Sequence, residues 1–180
     1  PGMTVMCPAD DVEARQMVKA AYEMEGPVYM RFGRAATPVF HDEGYQFQIG
    51  KGETLQDGTD IAIIATGIMV PEAIEAGKAL AEAGISARVI NMATIKPLDE
   101  ELVLKAAREC GKIVTVEEHS VIGGLGEAVC SVLAENCPVP VKRIGVNDEF
   151  GHSGPAAALL KQFGLSAEHI VAAARDFCGK

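Results

Sequence analysis

The stretch from Asn91 to Val129 decides the fold class of this chain. It reads NMATIKPLD at residues 91–99, continues through an amphipathic helix, and ends with KIVTVEEH at 112–119 and GGLGEAV at 123–129. Short apolar runs of strand length alternate here with a helical pattern, and a glycine turn opens a further helix. The order strand, helix, strand, helix predicts a piece of a parallel α/β sheet.

The same alternation extends in both directions from this stretch. The predicted strands lie at residues 51–56, 61–65, 87–92, 113–116 and 139–144, and two short helices close the chain at about 154–162 and 166–178. We therefore predict an α/β fold, a three-layer sandwich around a mostly parallel five-stranded sheet. The Asp57-Gly58 turn after the first of these strands predicts that this strand is an antiparallel edge.

The chain divides into two unequal parts and a connecting segment. Residues 1–36 form a single predicted β-α-β unit, with a helix that begins near Pro8 between two short strands. Because one such unit is too small to bury both faces of its strands, we expect it to belong to a larger sheet outside this chain. Residues 37–50 are rich in glycine, proline and polar residues and are predicted to be an inter-domain linker. Residues 51–180 form the second predicted domain.

Composition and charge argue against several classes of protein. The chain has 16 basic and 25 acidic residues and a formal net charge of −9, whereas a nucleic-acid surface needs a basic footprint. No apolar run approaches the ~18 residues of a membrane span, and no signal-peptide pattern occurs in the sequence. The five cysteines form no CxxC motif, so we expect reduced thiols in a cytoplasmic protein. The sequence begins with Pro1, and we expect the natural start to lie upstream.

Two neighbouring features at the end of a predicted strand are candidates for function. The GGLG turn at 123–126 either lets the next helix pack closely or presents free helix N–H groups to an anion. It matches neither the dinucleotide nor the phosphate-loop pattern. Glu117, Glu118 and His119 precede it at the carboxyl end of a strand, where α/β active sites gather. For this trio a hydrogen-bonding role at the rim and a catalytic role both stay open.

The sequence predicts no metal site and no complete catalytic centre. The four histidines, His41, His119, His152 and His169, show no ligand spacing such as HxxxH. There is no GDG motif with a downstream Asn-Asn pair, the pattern that would hold a metal-bound diphosphate, and no nucleophile–base pair is evident. We therefore expect neither cofactor nor metal to be bound by this chain alone.

Arg31 and Arg34 lie at the end of the second predicted strand, in the sequence MRFGR at 30–34. A guanidinium beside a glycine can hold a phosphate through two parallel hydrogen bonds. An arginine at this place can equally form a salt bridge between domains. The residues alone leave both roles open.

Several motifs, taken in order, resemble the C-terminal part of transketolase over essentially the whole chain. They are PADDVE at 8–13, GPVYMR at 26–31, TIKPLD at 94–99, VEEH at 116–119, GGLGEAV at 123–129 and FGL at 163–165. On this resemblance, residues 1–36 are the tail of the pyrimidine-binding domain. Residues 51–180 are then the transketolase C-terminal domain.

The resemblance implies an activity and one site residue. The family transfers a two-carbon ketol unit from a ketose phosphate to an aldose phosphate in the pentose phosphate pathway. It works as a homodimer and uses thiamine diphosphate and Mg²⁺ or Ca²⁺. Arg34 falls where the family binds the sugar phosphate. The family's cofactor, metal and catalytic residues lie upstream, so the resemblance implies that this chain needs the N-terminal part, in the same polypeptide or as a separate subunit.

Three alternatives stay open beside transketolase. 1-Deoxyxylulose-5-phosphate synthase shares the KPLD sequence but typically has Arg-Phe before it, where this chain has Ala93-Thr94. The β subunit of 2-oxoacid dehydrogenases shares the glycine turn but usually has arginine near the position of Lys96 and lacks the FGL ending. A non-catalytic module for dimerisation and scaffolding is the third alternative.

Overall fold

The computed structural model describes residues 1–179, which form eight strands and six helices. In chain order these are β1 Thr4–Met6, α1 Asp11–Glu23, β2 Val28–Met30, β3 Glu53–Gln56, β4 Ile61–Ala65, α2 Met69–Glu82, β5 Ala87–Asn91, β6 Thr94–Lys96, α3 Glu100–Cys110, β7 Ile113–Ser120, α4 Leu125–Asn136, β8 Val141–Val146, α5 Ala156–Gln162 and α6 Ala167–Cys178. Within the described residues, no helix is both long and apolar enough to cross a membrane.

The main sheet has the strand order β3-β5-β4-β7-β8. Strand β3 pairs antiparallel with β5, whereas the other neighbours in this sheet are parallel. All residues of the central strand β4 are buried, as expected for an apolar run that is covered on both faces. The predicted mostly parallel five-stranded sheet with one antiparallel edge strand is therefore confirmed.

Helices cover both faces of the main sheet and complete the three predicted layers. On one face, Ile61 and Ile63 of β4 pack in a cluster with residues of α2 and α6. On the other face, Ala62 and Ile64 pack in a cluster with residues of α3 and α4. Because successive side chains of a strand point to opposite faces, this one short strand contributes to both hydrophobic cores.

A second, small sheet contains a strand that the sequence analysis did not predict. Its order is β2-β1-β6, with β1 parallel to β2 and antiparallel to β6. Strand β6 comes from the TIK sequence at 94–96, directly after β5 of the main sheet. The larger sheet that we expected outside this chain is thus supplied in part by the chain itself. A three-residue strand has too little periodicity to be recognised in the sequence.

One face of the small sheet carries helix α1. The buried side chain of Met17 packs there against Met6, and Met30 lies at the border of the same cluster. This is the packing that the apolar stripe of the first predicted helix requires. The opposite face carries Val5 and Tyr29, which are paired across β1 and β2.

The segment 37–50 contains neither helix nor strand and lies against α1. The backbone N–H groups of Phe40 and His41 donate to one carboxylate oxygen of Asp10, the N-cap residue of α1. Gln16 of α1 accepts from the N–H of Phe47. These bonds attach the segment to the N-terminal unit (residues 1–36). The assignment of 37–50 as an inter-domain linker, and of the domains on either side of it, stays a prediction.

Candidate functional site

A cleft of about 410 Å³ lies between the small sheet and the main sheet. Cys7 follows β1, Arg31 follows β2 and Thr66 follows β4, and the end of β7 contributes Glu117 and His119. The cleft is therefore built from the carboxyl ends of strands in both sheets. In α/β proteins, ligands bind outside these strand ends, so this cleft is the candidate functional site.

One wall of the cleft is apolar and is the uncovered face of the small sheet. Met3, Val5, Tyr29 and Ile95 form this wall, which we call the open face. Met3 is 40% exposed and Tyr29 is 53% exposed. Exposed apolar side chains that share one face of a sheet mark a surface that another element covers.

Arg31 bridges the two sheets. Its guanidinium lies 3.5 Å from the carboxylate of Glu118 on β7, and both side chains are about one-third exposed, 36% and 38%. An ion pair that is so accessible to solvent contributes little to stability, about 0–1 kcal/mol. Of the two roles that the sequence left open for the arginines, the structure thus gives Arg31 a salt bridge, which joins the two sheets.

Arg34 lies beyond the end of β2, at a second cavity of about 270 Å³. Glu118 and His152 line this cavity together with apolar residues of α5, and the ring of Phe163 stacks on His152 at a centroid distance of 5.5 Å. No hydrogen bond or ion pair joins the guanidinium of Arg34 to another residue of the part of the chain that the structure describes. Arg34 is exposed and available to an anion, and its role in phosphate binding stays a prediction.

The glycine turn before α4 is occupied by a carboxylate of the protein itself. Glu117 accepts hydrogen bonds from the N–H groups of Leu125, at 2.7 Å, and Gly126, at 2.8 Å. A β-carbon on Gly124 would lie only 2.0 Å from the Glu117 carboxylate. The positive end of the helix thereby stabilises a buried negative charge. This geometry supports close packing, rather than an external anion, as the reason for the glycines.

The three residues of the predicted trio at the end of β7 each have a different partner. Because β7 continues to Ser120, these residues lie within the strand rather than after it. Glu117 caps α4, and Glu118 pairs with Arg31. The Nδ1 atom of His119 lies 2.8 Å from the carbonyl oxygen of Ser120, to which it donates. These partners favour the hydrogen-bonding role over a catalytic role for the trio.

A buried polar network near the start of α1 was not predicted from the sequence. Glu13 is fully buried and accepts from the hydroxyl of Tyr45, the side-chain amide of Asn91 and the backbone N–H of Ala9. Burial raises the pKa of Glu13, although these hydrogen bonds oppose the shift. The signal in the sequence is the pattern Asp10-x-x-Glu13, which resembles a helix capping box.

The residues that the structure describes do not fit the metal-bound diphosphate of thiamine diphosphate. Within residues 1–179, no group of three or more His, Cys, Asp or Glu side chains is arranged to hold a metal ion. The helix N-terminus nearest the cleft is capped by Glu117, whose negative charge opposes the binding of a diphosphate there. We therefore assign no step of a reaction through that cofactor to this chain.

Comparison with known proteins identifies the family. Residues 50–170 match the family model described as transketolase, C-terminal domain. This chain belongs to the transketolase family and corresponds to the C-terminal part of its members. The resemblance deduced from the motifs is thus confirmed.

Individual relatives cover the chain almost completely. A 6-deoxy-6-sulfo-D-fructose transketolase subunit from Clostridium sp. (strain MSTE9) is 47% identical, over 98% of this chain and 55% of that protein. A 1-deoxy-D-xylulose-5-phosphate synthase from Geobacter sulfurreducens is 45% identical, over 98% of this chain and 28% of that protein. A solved structure described as a split gene transketolase, inactive beta4 tetramer, is 50% identical with a TM-score of 0.94, over 98% of this chain and 58% of that chain.

The chain spans about half the length of the transketolase subunit and of the solved structure, and less of the synthase. The remaining length of those proteins can supply residues of a catalytic centre that have no counterpart in this chain. We therefore treat the activity, the substrates and the partners of the whole protein as proposals.

Replacing Glu117 by alanine tests the capping of α4. Glu117→Ala leaves the N–H groups of Leu125 and Gly126 without their acceptor, and hydrogen bonds to a charged group contribute about 1.5–3 kcal/mol. We expect the free energy of unfolding to fall by about that amount in urea denaturation. Glu118→Ala, one residue further along β7, is the matched control and should change it by less than ~1 kcal/mol. Equal losses in both variants would contradict the assignment.

Proposed function

We propose that this chain is the C-terminal part of an enzyme that transfers a two-carbon ketol unit from a ketose phosphate to an aldose phosphate. The observation that carries the proposal is the unpaired guanidinium of Arg34. It lies at a cavity beside the cleft, in a chain of the transketolase family. Arg34 is also the position at which the family resemblance implies a contact with the sugar phosphate.

The surroundings of Arg34 suit an anion. Glu118, the carboxylate that shares its cavity, is paired with Arg31 at 3.5 Å. The guanidinium of Arg34 keeps its full charge and its fork of donors, which match two oxygens of a phosphate. In the proposed enzyme, Arg34 binds and orients the phosphate end of the sugar. Thiamine diphosphate, with Mg²⁺ or Ca²⁺, supplies the carbanion chemistry there and is held by residues outside this chain.

The open face indicates where the rest of the enzyme docks. Met3, Val5, Tyr29 and Ile95 leave an apolar wall that α1 does not cover, and β2 has a free edge in the small sheet. Sheets of α/β proteins are covered on both faces. We propose that the N-terminal portion of the enzyme, in the same polypeptide or as a separate subunit, covers this wall and that two copies form the active assembly. The curated relative that is described as a subunit supports this arrangement.

A second candidate reaction is the formation of 1-deoxyxylulose 5-phosphate. The relative from Geobacter sulfurreducens, 45% identical and named as that synthase, favours it. Both candidates need the same phosphate anchor, because both act on phosphorylated sugars. They differ in the donor substrate, which the cavity at Arg34 does not select.

The experiment that separates these candidates is an activity assay of the assembled enzyme. The chain is produced together with its N-terminal complement, supplied with thiamine diphosphate and Mg²⁺, and given either a ketose phosphate with an aldose phosphate or the substrates of the synthase. We expect ketol transfer. Deoxyxylulose formation would establish the second candidate, and no activity with any donor would leave a scaffolding module.

In the active assembly, Arg34→Ala tests the phosphate anchor. Loss of a charge-assisted bond of about 1.5–3 kcal/mol corresponds to a rise in KM of about 10- to 100-fold for the phosphorylated donor. KM for a donor without phosphate should not change. Arg15→Ala removes an equal charge from an exposed pair on α1 and is the control. An unchanged KM in Arg34→Ala would exclude the phosphate role.

Tyr29→Asp tests the docking of the N-terminal portion on the open face. A carboxylate in a covered apolar wall is desolvated without a partner, so we expect weaker association of separate chains by calorimetry, or lower stability of a continuous polypeptide in denaturant. Tyr22→Asp is the matched control, because Tyr22 lies on α1 and is 89% exposed. Equal effects at both positions would show that the open face is not the docking surface.

A further inference from the structure

The loop that carries Arg34 is hydrogen-bonded at its two ends, and between them Gly33 packs against the side chain of Ile68. Residues 31–39 run from the end of β2 to Phe40 and His41, and most of them are exposed. At the first end, the N–H of Arg31 donates to the carbonyl of Met6 at 2.9 Å. At the other end, the N–H groups of Phe40 and His41 donate to the Asp10 carboxylate at 3.0 and 2.9 Å. The place of Arg34 therefore depends in part on how firmly this second end is fixed.

The ring of His41 fixes that end to two different parts of the chain. Its Nδ1 atom lies 3.0 Å from a carboxylate oxygen of Asp10 at the start of α1, an ion-pair contact whose alignment does not suit a hydrogen bond. Its Nε2 atom lies 2.9 Å from the carboxylate of Glu53 on β3, the edge strand of the main sheet. The ring is buried and stacks on Tyr45 at a centroid distance of 3.8 Å. His41 thus connects the N-terminal unit with the main sheet.

Tyr45 extends this connection through Glu13 to β5. Its hydroxyl donates to Glu13 at 2.5 Å, and Glu13 also accepts from the amide of Asn91 at the end of β5. One aromatic stack and four polar partners therefore join α1, the segment 37–50, β3 and β5. We call this set, His41, Tyr45, Asp10, Glu13, Glu53 and Asn91, the clasp.

We propose that His41, as an imidazolium, is a positioning residue that ties the N-terminal unit to the main sheet and thereby holds Arg34 at the second cavity, beside the cleft. A ring placed between two carboxylates can satisfy both at once only when both of its nitrogens carry protons. The neutral ring has one donor and leaves either Asp10 or Glu53 facing a lone pair. The clasp is therefore strongest when His41 is charged.

The charges around the ring favour its protonated form. Although burial opposes the charged form, the hydrogen bond to Glu53, the close carboxylate of Asp10 and the nearby charge of Glu13 raise the pKa of His41 to about 9. Tyr45 is the remaining titratable group against the ring, and burial and the charge of Glu13 raise its pKa, so it stays neutral. Because an unfolded histidine titrates near ~6.5, the stabilisation is complete below that pH and is lost as the pH rises through about 9.

The first test uses this chain and does not depend on the proposed function. The NMR signals of the His41 ring are titrated, and hydrogen exchange is measured at the amides of Phe40, His41 and Phe47. We expect a midpoint near pH 9 and, in His41→Gln, protection lowered by about tenfold at these amides. His169→Gln, on α6, is the control and should leave them protected. A midpoint near ~6.5, or unchanged protection in His41→Gln, overturns the proposal.

If His41→Gln does not fold, Glu53→Gln takes its place. This variant keeps the ring, its stack and the ion pair with Asp10, and removes only the charge on β3. We expect the His41 midpoint to move down and the protection of the segment to fall. An unmoved midpoint in Glu53→Gln would overturn the connection to the main sheet.

The second test rests on the proposed function and uses the assembled enzyme. Loss of ordering equivalent to one hydrogen bond should raise KM for the phosphorylated donor by about 3- to 10-fold in His41→Gln, with kcat unchanged. In the wild type, KM should rise as the pH passes about 9, and in His41→Gln this rise should be absent. A fall in kcat with KM unchanged would overturn the positioning role. If Arg34→Ala leaves KM unchanged while the first test succeeds, the proposed phosphate role fails and the clasp stands.

Discussion

Two residues, Met92 and Ala93, separate β5 of the main sheet from β6 of the small sheet. The N–H of Met92 donates to the carbonyl of Ala65 in the main sheet, and the N–H of Cys7, after β1, donates to the carbonyl of Ala93. Met92 and Ala93 are both buried. The backbone thus passes from one sheet into the other without a loop that could flex. The angle between the sheets, and with it the cleft between their carboxyl ends, depends on this short connection.

Buried charges strengthen the same junction because each of them has partners on another element. Glu13 on α1 reaches Asn91 of β5, and His41 reaches Glu53 of β3. Asp10 accepts from the backbone of Glu13 and of the neighbouring segment. Burial opposes its ionisation, but these hydrogen bonds outweigh burial and lower the pKa of Asp10. Removing one partner of such a group leaves an unsatisfied buried charge, which is more destabilising than the loss of a surface pair.

The main sheet could be predicted from the sequence because its strands are buried on both faces and therefore read as uninterrupted apolar runs. Strand β6 could not, since three residues show no period and only the edge of β1 makes them a strand. The clasp was missed for a related reason. Glu13 lies 32 residues from Tyr45 and 78 residues from Asn91, and no local pattern links positions so far apart.

For the candidate site, the sequence indicated which residues to consider but not which partners they contact. The glycine turn and the trio at 117–119 were recognised, but their partners decide their roles, and those partners come from other elements. The sequence placed Glu117 beside the turn without showing that its carboxylate fills it. Arg34 could be distinguished from Arg31 only through the family resemblance, because the residues alone allow both arginines both roles.

The N-terminal unit carries a part of each feature on which the proposals depend. Arg34 lies beyond the end of β2, Val5 and Tyr29 of the open face lie on β1 and β2, and the clasp begins at the start of α1. In the proposed enzyme, a chain that docks on the open face therefore contacts the same small sheet that positions the phosphate anchor. Any rotation of that sheet moves Arg34 relative to the main sheet. Assembly and substrate binding would then be coupled through one rigid element, and the clasp sets the orientation from which both start.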